Sequence, residues 1–181
     1  KWQDIIAQNR IGEGVSHRSE LYLNNGDGTF TEISEKVGIK TEAFVKAAVW
    51  GDINNDGLPD LFVSIMGENN KLYLNKGGTS IEDWSFEEQA AESGVEKPLF
   101  SFPAWFWDFD NDGWEDLVVL SYDFRIFGRL TSDVASEHMN LPFSSEIPRL
   151  YRNNKDGTFS DITKLAQLDK ALYSMGCNFG D

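Results

Sequence analysis

An Asp-rich nonapeptide occurs twice in this chain, and that recurrence restricts the fold more than any other feature. The copies are Asp52-Ile53-Asn54-Asn55-Asp56-Gly57-Leu58-Pro59-Asp60 and Asp108-Phe109-Asp110-Asn111-Asp112-Gly113-Trp114-Glu115-Asp116, 56 residues apart. Asp4, followed by Ile5-Ile6-Ala7, keeps the step, since Asp4, Asp60 and Asp116 are separated by 56 and 56. Leu21-Tyr22-Leu23-Asn24, Leu72-Tyr73-Leu74-Asn75 and Leu150-Tyr151-Arg152-Asn153 form a second landmark, each copy preceding a Gly-bearing turn. A third landmark is Trp50-Gly51-Asp52, Phe106-Trp107-Asp108 and Phe179-Gly180-Asp181, whose Asp falls 30, 35 and 30 residues after the three tyrosines. The extra five residues of the middle copy lie in the hairpin 76–86. Self-similarity at this period marks propellers and related arrays.

Within a unit, short β-rich runs at 46–50, 61–65, 71–74 and 29–33 are bounded by Gly, Asn and Asp clusters, which is the pattern of strands joined by tight turns. The turn Asn25-Gly26-Asp27-Gly28 supplies residues that tolerate positive φ, as hairpins require. Single helical turns are expected only at 34–38, 87–94 and 162–168, two of which end at a Gly. Four-stranded antiparallel units in tandem, linked by a crossover, are propeller blades. The expected fold is therefore all-β, a propeller segment of about three blades forming a single domain over 1–181, with units at about 4–59, 60–115 and 116–181. The chain is expected to begin inside one Asp-rich loop and to stop at Asp181, the first position of another. Three units are fewer than close a ring, so an open arc is expected, with exposed edges that invite self-association.

Both nonapeptides read Asp-x-Asp/Asn-x-Asp-Gly-x-x-Asp. Calcium takes six to eight oxygens at about 2.3–2.6 Å. Side-chain oxygens at positions 1, 3 and 5 converge on one point, Gly at 6 lets the chain turn back, the carbonyl of residue 7 adds a ligand, and Asp at 9 closes the shell. The expected ligands are Asp52, Asn54, Asp56, Leu58 and Asp60 in the first loop, and Asp108, Asp110, Asp112, Trp114 and Asp116 in the second. Two Ca2+ ions follow. An EF-hand starts the same way but needs Glu at position 12 and a following helix; here position 12 is Val63 or Val119, inside a β-branched run. Plain Asx turns without metal are the alternative, but they would crowd several carboxylates together with nothing to offset the repulsion. Magnesium fits less well because it keeps several waters in a strict octahedron.

These residues resemble the FG-GAP or VCBS repeats of integrin α-subunit propellers. Glu20-Leu21-Tyr22-Leu23-Asn24-Asn25-Gly26-Asp27-Gly28-Thr29-Phe30 is especially similar to secreted and bacterial proteins of the cartilage acidic protein type, which carry such repeats ahead of an ASPIC/UnbV domain. That domain is not visible here. The resemblance covers nearly all of the chain except about 121–148, and Trp107 departs from it by standing where the pattern has Gly. It implies a seven-bladed or similar ring, calcium at the blade hairpins, and an extracellular, cell-surface or periplasmic location.

Thirty acidic against sixteen basic residues give a net charge of −14, which argues against nucleic acid or an anionic membrane as partner. No apolar run reaches membrane-spanning length, and Lys1 in place of Met is read as a leader removed or lying upstream. Cys177, the single cysteine, forms no internal disulfide and reads as a small core residue. The third unit carries an insertion at about 121–148, containing Tyr122, Asp123, Arg125, Phe127, Arg129, Asp133, Glu137, His138 and Met139. It is read either as a surface excursion or as the place where a protein or carbohydrate ligand binds. His138 and His17 have no partner that would make either a general base. Trp105, Phe106, Trp107 and Trp114 are read as packing between blades rather than as a sugar platform. The expected function is a calcium-stabilised binding, adhesion or scaffold module without a catalytic site. The alternative is the propeller domain of a carbohydrate-active lyase or hydrolase, against which stands the lack of a nucleophile elbow or of paired carboxylates outside the loops.

Overall fold

The computed structural model of the chain describes residues 5–7, 18–123, 130–174 and 176. Asp4, His17, Arg125, Phe127, Arg129, Cys177 and the motif Phe179-Gly180-Asp181, all singled out above, lie outside these residues. The described residues form an all-β arrangement of three antiparallel sheets. The first contains β1 (Ile5–Ala7), β2 (Glu20–Asn24) and β3 (Phe30–Glu32), followed by the helical turn α1 (Ser34–Val37). β4 (Val45–Gly51), β5 (Asp60–Ile65), β6 (Lys71–Asn75) and β7 (Phe86–Glu88) form the second, followed by α2 (Ala90–Ser93). The third is β8 (Ser101–Trp107), β9 (Asp116–Ser121), β10 (Arg149–Asn153) and β11 (Phe159–Asp161), with α3 (Leu130–His138) inserted between β9 and β10. Among the described residues no helix is long and apolar enough to cross a membrane.

Register is repeated as faithfully as sequence. Tyr22 faces Glu32, Tyr73 faces Glu88 and Tyr151 faces Asp161, so each tyrosine is fixed on the same side of its sheet, as a period of two residues demands. The pairs β4–β5 and β8–β9 are each irregular near the start of their first strand. In β8 the irregularity spans Pro103, which has no N–H to give the ladder. In β4 the displaced Ala47 N–H donates to Ser64 Oγ at 2.9 Å, and that hydroxyl donates to Phe102 O at 2.6 Å, tying the second sheet to the third.

Two cores separate the three sheets. Leu21, Ile33, Val37 and Ile39 of the first repeat meet Leu61, Val63, Ile65, Tyr73 and Phe86. Phe62, Leu72, Leu74, Ala90 and Val95 meet Leu117, Val119, Tyr151 and Phe159 of the third sheet. All six residues of β5 are therefore buried, with odd-numbered side chains feeding one core and Phe62 the other. A strand covered on both faces reads as an unbroken apolar run rather than an alternating one. Full burial of such a side chain stabilises the fold by about 1.5–3 kcal/mol.

The three expected helical turns differ in outcome. α1 ends at Gly38 with φ of 88° and α2 at Gly94 with φ of 77°, both in the left-handed conformation that glycine adopts without a Cβ penalty. Glu87 belongs to β7, so the second turn starts later than its composition suggests. Residues 163–167 form a hydrogen-bonded turn rather than a helix, closed by Gln167 at φ of 58° where the other repeats have Gly. Described residues of the insertion touch the rest of the chain through Tyr122, Asp133 and Glu137. Tyr122 contacts Phe102 and Tyr173, Tyr173 Oη donates to Asp133 at 3.4 Å, and Lys170 pairs with Glu137 at 3.0 Å. Asp123 and Asp133 are buried, while Met139 and Leu141 are exposed.

Candidate metal centre

Each Asp-rich nonapeptide joins the first two strands of a four-stranded sheet, at the end opposite the insertion. Asp52 follows β4 and Asp60 opens β5; Asp108 follows β8 and Asp116 opens β9. The first residue of each loop organises its turn. Asp52 Oδ1 and Oδ2 accept the N–H groups of Asp56 and Gly57 at 3.1 and 2.9 Å. Asp108 does the same for Asp112 and Gly113, both at 2.9 Å. Gly57 and Gly113 have φ of 85° and 86°, and Asn55 and Asn111 both 56°, conformations that suit Gly and Asn and few other residues. The loop shape is thus written in the residue types at positions 4 and 6.

The ninth residue closes each loop from inside the protein. Asp60, fully buried, accepts Ile53 N–H at 3.1 Å and Asn75 N–H at 2.8 Å. Asp116, 2% exposed, accepts Phe109 N–H at 3.2 Å and Asn153 N–H at 2.8 Å. Burial pushes Asp60 up to about 6 against the backbone hydrogen bonds that favour its charge, with Asp56 and Asp52 adding repulsion. Asp116 is raised for the same reason, with Asp110 and Asp112 adding repulsion.

In the second loop one ligand atom each from Asp108, Asp110 and Asp116 lie within 4.8 Å of one another. Oxygens on one cation at calcium distances lie no more than about 5 Å apart, so this spacing fits a calcium shell. Asp110 Oδ1 is shielded from solvent and accepts no hydrogen bond, an arrangement that is costly unless something else meets that oxygen. Asp112, expected at position 5, is outside that cluster: Oδ1 accepts Trp114 N–H at 3.1 Å and Oδ2 pairs with Lys155 at 2.9 Å, which holds its carboxyl below the usual range. Arg152 pairs with Asp110 at 2.7 Å. In the first loop Asn54 stands where the second has Asp110, and its amide donates to Asp56 Oδ2 at 2.9 Å. Leu58 and Trp114, expected through their carbonyls, follow Gly57 and Gly113, and their N–H groups bond to Asp56 and Asp112.

Four participants escaped sequence reasoning: Glu115, Arg152, Asn153 and Lys155. For Asn153 the signal was present, because Asn24, Asn75 and Asn153 end the same tetrapeptide. Each side chain accepts the N–H two residues on, at 2.9, 2.9 and 2.8 Å. Glu115 crosses to the neighbouring loop, where Oε2 accepts Asp52 N–H at 2.7 Å. Gly51 makes the space for that crossing. A Cβ there would collide with the Glu115 carboxylate and stand 2.5 Å from Phe106 Cδ2. Gly51→Ala is expected to cost about 1–3 kcal/mol by overpacking, read as a melting temperature about 2–12 °C lower. The third sheet has Trp107 at this position, 42% exposed and in edge contact with Phe109. Trp105, Phe106 and Trp114 are half-buried, and Phe106 packs edge-on against Phe62 at 6.4 Å.

The family model for the FG-GAP-like repeat matches this chain three times, over residues 1–63, 52–119 and 108–181. Successive matches overlap on the two Asp-rich loops and the strands that follow them. Comparison with curated proteins gives no match.

Proposed function

The chain belongs to the FG-GAP-like repeat family, and on that premise we propose that it is a structural calcium-binding module of an extracellular propeller, acting in binding, adhesion or scaffolding. The observation that carries this reading is the second loop. Three carboxylates bring oxygens within 4.8 Å of one another, and one of their oxygens is shielded without a donor. Bound calcium would supply positive charge at that point and replace repulsion between carboxylates with attraction. Asp108, Asp110, Asp112, Asp116 and the Trp114 carbonyl would hold it; Asp52, Asn54, Asp56, Asp60 and the Leu58 carbonyl would hold its counterpart in the first loop. The three sheets are read as consecutive blades with calcium on one rim, and the insertion on the other rim as the surface for a protein or carbohydrate partner. The strand and hairpin over residues 20–30 are the ground for placing the chain nearer the ASPIC/UnbV type.

Terbium binds calcium-type oxygen sites and luminesces when excited through a nearby indole. Trp114 is itself a residue of the second loop, so sensitised emission is expected on terbium addition, displaced by calcium and reduced in the Asp108→Asn, Asp110→Asn variant, which leaves only the first loop and its neighbour Trp50. Emission unchanged in that variant would remove the second loop as the site.

The closing carboxylates add a pH dependence. The folded Asp60 titrates near 6 against a reference of 3.8, so the native state holds its proton more tightly than the unfolded chain. Its contribution to the stability of the metal-free protein is fully present below pH about 4 and lost as pH rises through about 6. Calcium binding must displace that proton, so affinity at the first loop is expected to fall by about tenfold per unit as pH drops below about 6. Calorimetric titrations on both sides of that pH check this, and an affinity independent of pH would show that Asp60 takes no part.

A further inference from the structure

The two Asp-rich loops touch each other. Asp52 N–H donates to Glu115 at 2.7 Å, Asn55 Nδ2 donates to Gly113 O at 2.9 Å, and Asn153 Nδ2 donates to Ile53 O at 2.8 Å. These bonds reach the metal-facing groups on both sides. Ile53 N–H donates to Asp60, the closing carboxylate of the first loop, and Asn153 N–H donates to Asp116, the closing carboxylate of the second. Asn153 Nδ2 also holds Glu115 O at 3.0 Å. A continuous polar path therefore runs from Asp60 through Ile53 and Asn153 to Asp116. A second path runs from Asp52 through Glu115 into the second loop. Asn55 and Gly113 add a third link, between the turn residues themselves.

From this we infer that the two loops form one coupled pair, in which a calcium ion at either loop raises the affinity of the other. The inference rests on the calcium reading given above. The physical reason is ordering. A cation that fixes Asp108 and Asp116 also fixes Gly113, Glu115 and Asn153, which are the groups that orient Asp52, Ile53 and Asn55. The second ion then meets a loop whose conformational freedom has already been reduced, which is positive coupling without a change of fold. Glu115 and Asn153 act here as positioning residues, each supplied by the third sheet to a loop of the second. Repulsion between two divalent ions opposes the effect, but it is screened over about 8 Å at physiological ionic strength, whereas the hydrogen bonds are not.

The test is calorimetric, on the whole chain at about 0.15 M salt. Calcium affinity at the first loop is measured with the second loop intact and in the Asp108→Asn, Asp110→Asn variant, with circular dichroism confirming that both are folded. Coupling predicts that the first loop weakens about fivefold or more. The same comparison in an Asn55→Gly, Glu115→Ala background, which replaces no expected ligand and keeps the positive φ at position 55 accessible, should at least halve that factor. Should the second-loop variant not fold, linkage is reciprocal: Asp52→Asn, Asp56→Asn must then weaken the second loop about fivefold or more. Two sites that bind calcium with affinities indifferent to each other would overturn the coupling and leave the calcium reading standing. Absence of calcium binding at either loop would overturn both.

Discussion

Phe62→Ala is expected to destabilise the chain by about 3–5 kcal/mol and to lower its melting temperature by about 6–20 °C. Phe62 is fully buried at the centre of β5, faces the core between the second and third sheets, and meets Phe106 edge-on at 6.4 Å. Truncation removes that contact and leaves a cavity between two sheets whose backbones are fixed by their own ladders, so the site has little freedom to collapse. Urea denaturation should show a lower midpoint with an unchanged slope, the signature of lost stability rather than altered compactness. Leu165→Ala, at a position 82% exposed, serves as the control and should change stability by no more than about 0.5 kcal/mol.

The second large effect is that of calcium on stability. A ligand that binds only the folded state stabilises it by about 1.4 kcal/mol at ten times its Kd and about 2.7 kcal/mol at a hundred times. Two loops at the millimolar calcium found outside cells should therefore contribute about 3–5 kcal/mol together, a rise in melting temperature of about 6–20 °C over the chelated protein. The net charge of −14 works in the same direction, since self-repulsion destabilises the compact metal-free state. Magnesium at equal concentration should give a much smaller rise, because the loops present a cage and magnesium retains its waters. The Asp108→Asn, Asp110→Asn variant should lose at least half of the calcium increment. An unchanged increment would mean that the second loop contributes nothing.

Much of this architecture was legible because it is repeated. The 56-residue step located the loops, and the tetrapeptide ending in Asn24, Asn75 and Asn153 located β2, β6 and β10. Local chemistry carried α1 and α2, whose glycines close them. It did not carry the turn at 163–167, where Gln167 adopts the left-handed conformation that Gly38 and Gly94 hold in the other two repeats; Thr163 accepts Leu150 N–H at 3.0 Å just as Ser34 accepts Leu21 N–H in α1, so the contact with the strand is shared and the closing residue is what differs. α3 lay outside any repeat and had no counterpart to expose it. The bonds between loops were beyond reach for a different reason. Asn55 to Gly113, Asp52 to Glu115 and Asn153 to Ile53 span 58, 63 and 100 residues, and nothing in a single sequence pairs residues at such separations. A period shows that units resemble one another, but the way one unit completes its neighbour depends on how the sheets pack.

That the Asp-rich loops are calcium sites is the claim on which the rest depends, and calorimetric titration of calcium into the chelated 181-residue chain tests it most directly. Two filled loops require saturable binding of two equivalents, with one lost in Asp108→Asn, Asp110→Asn and the other in Asp52→Asn, Asp56→Asn. Titration with no saturable heat, together with a melting curve that calcium does not move, would contradict it and reduce both loops to acidic turns.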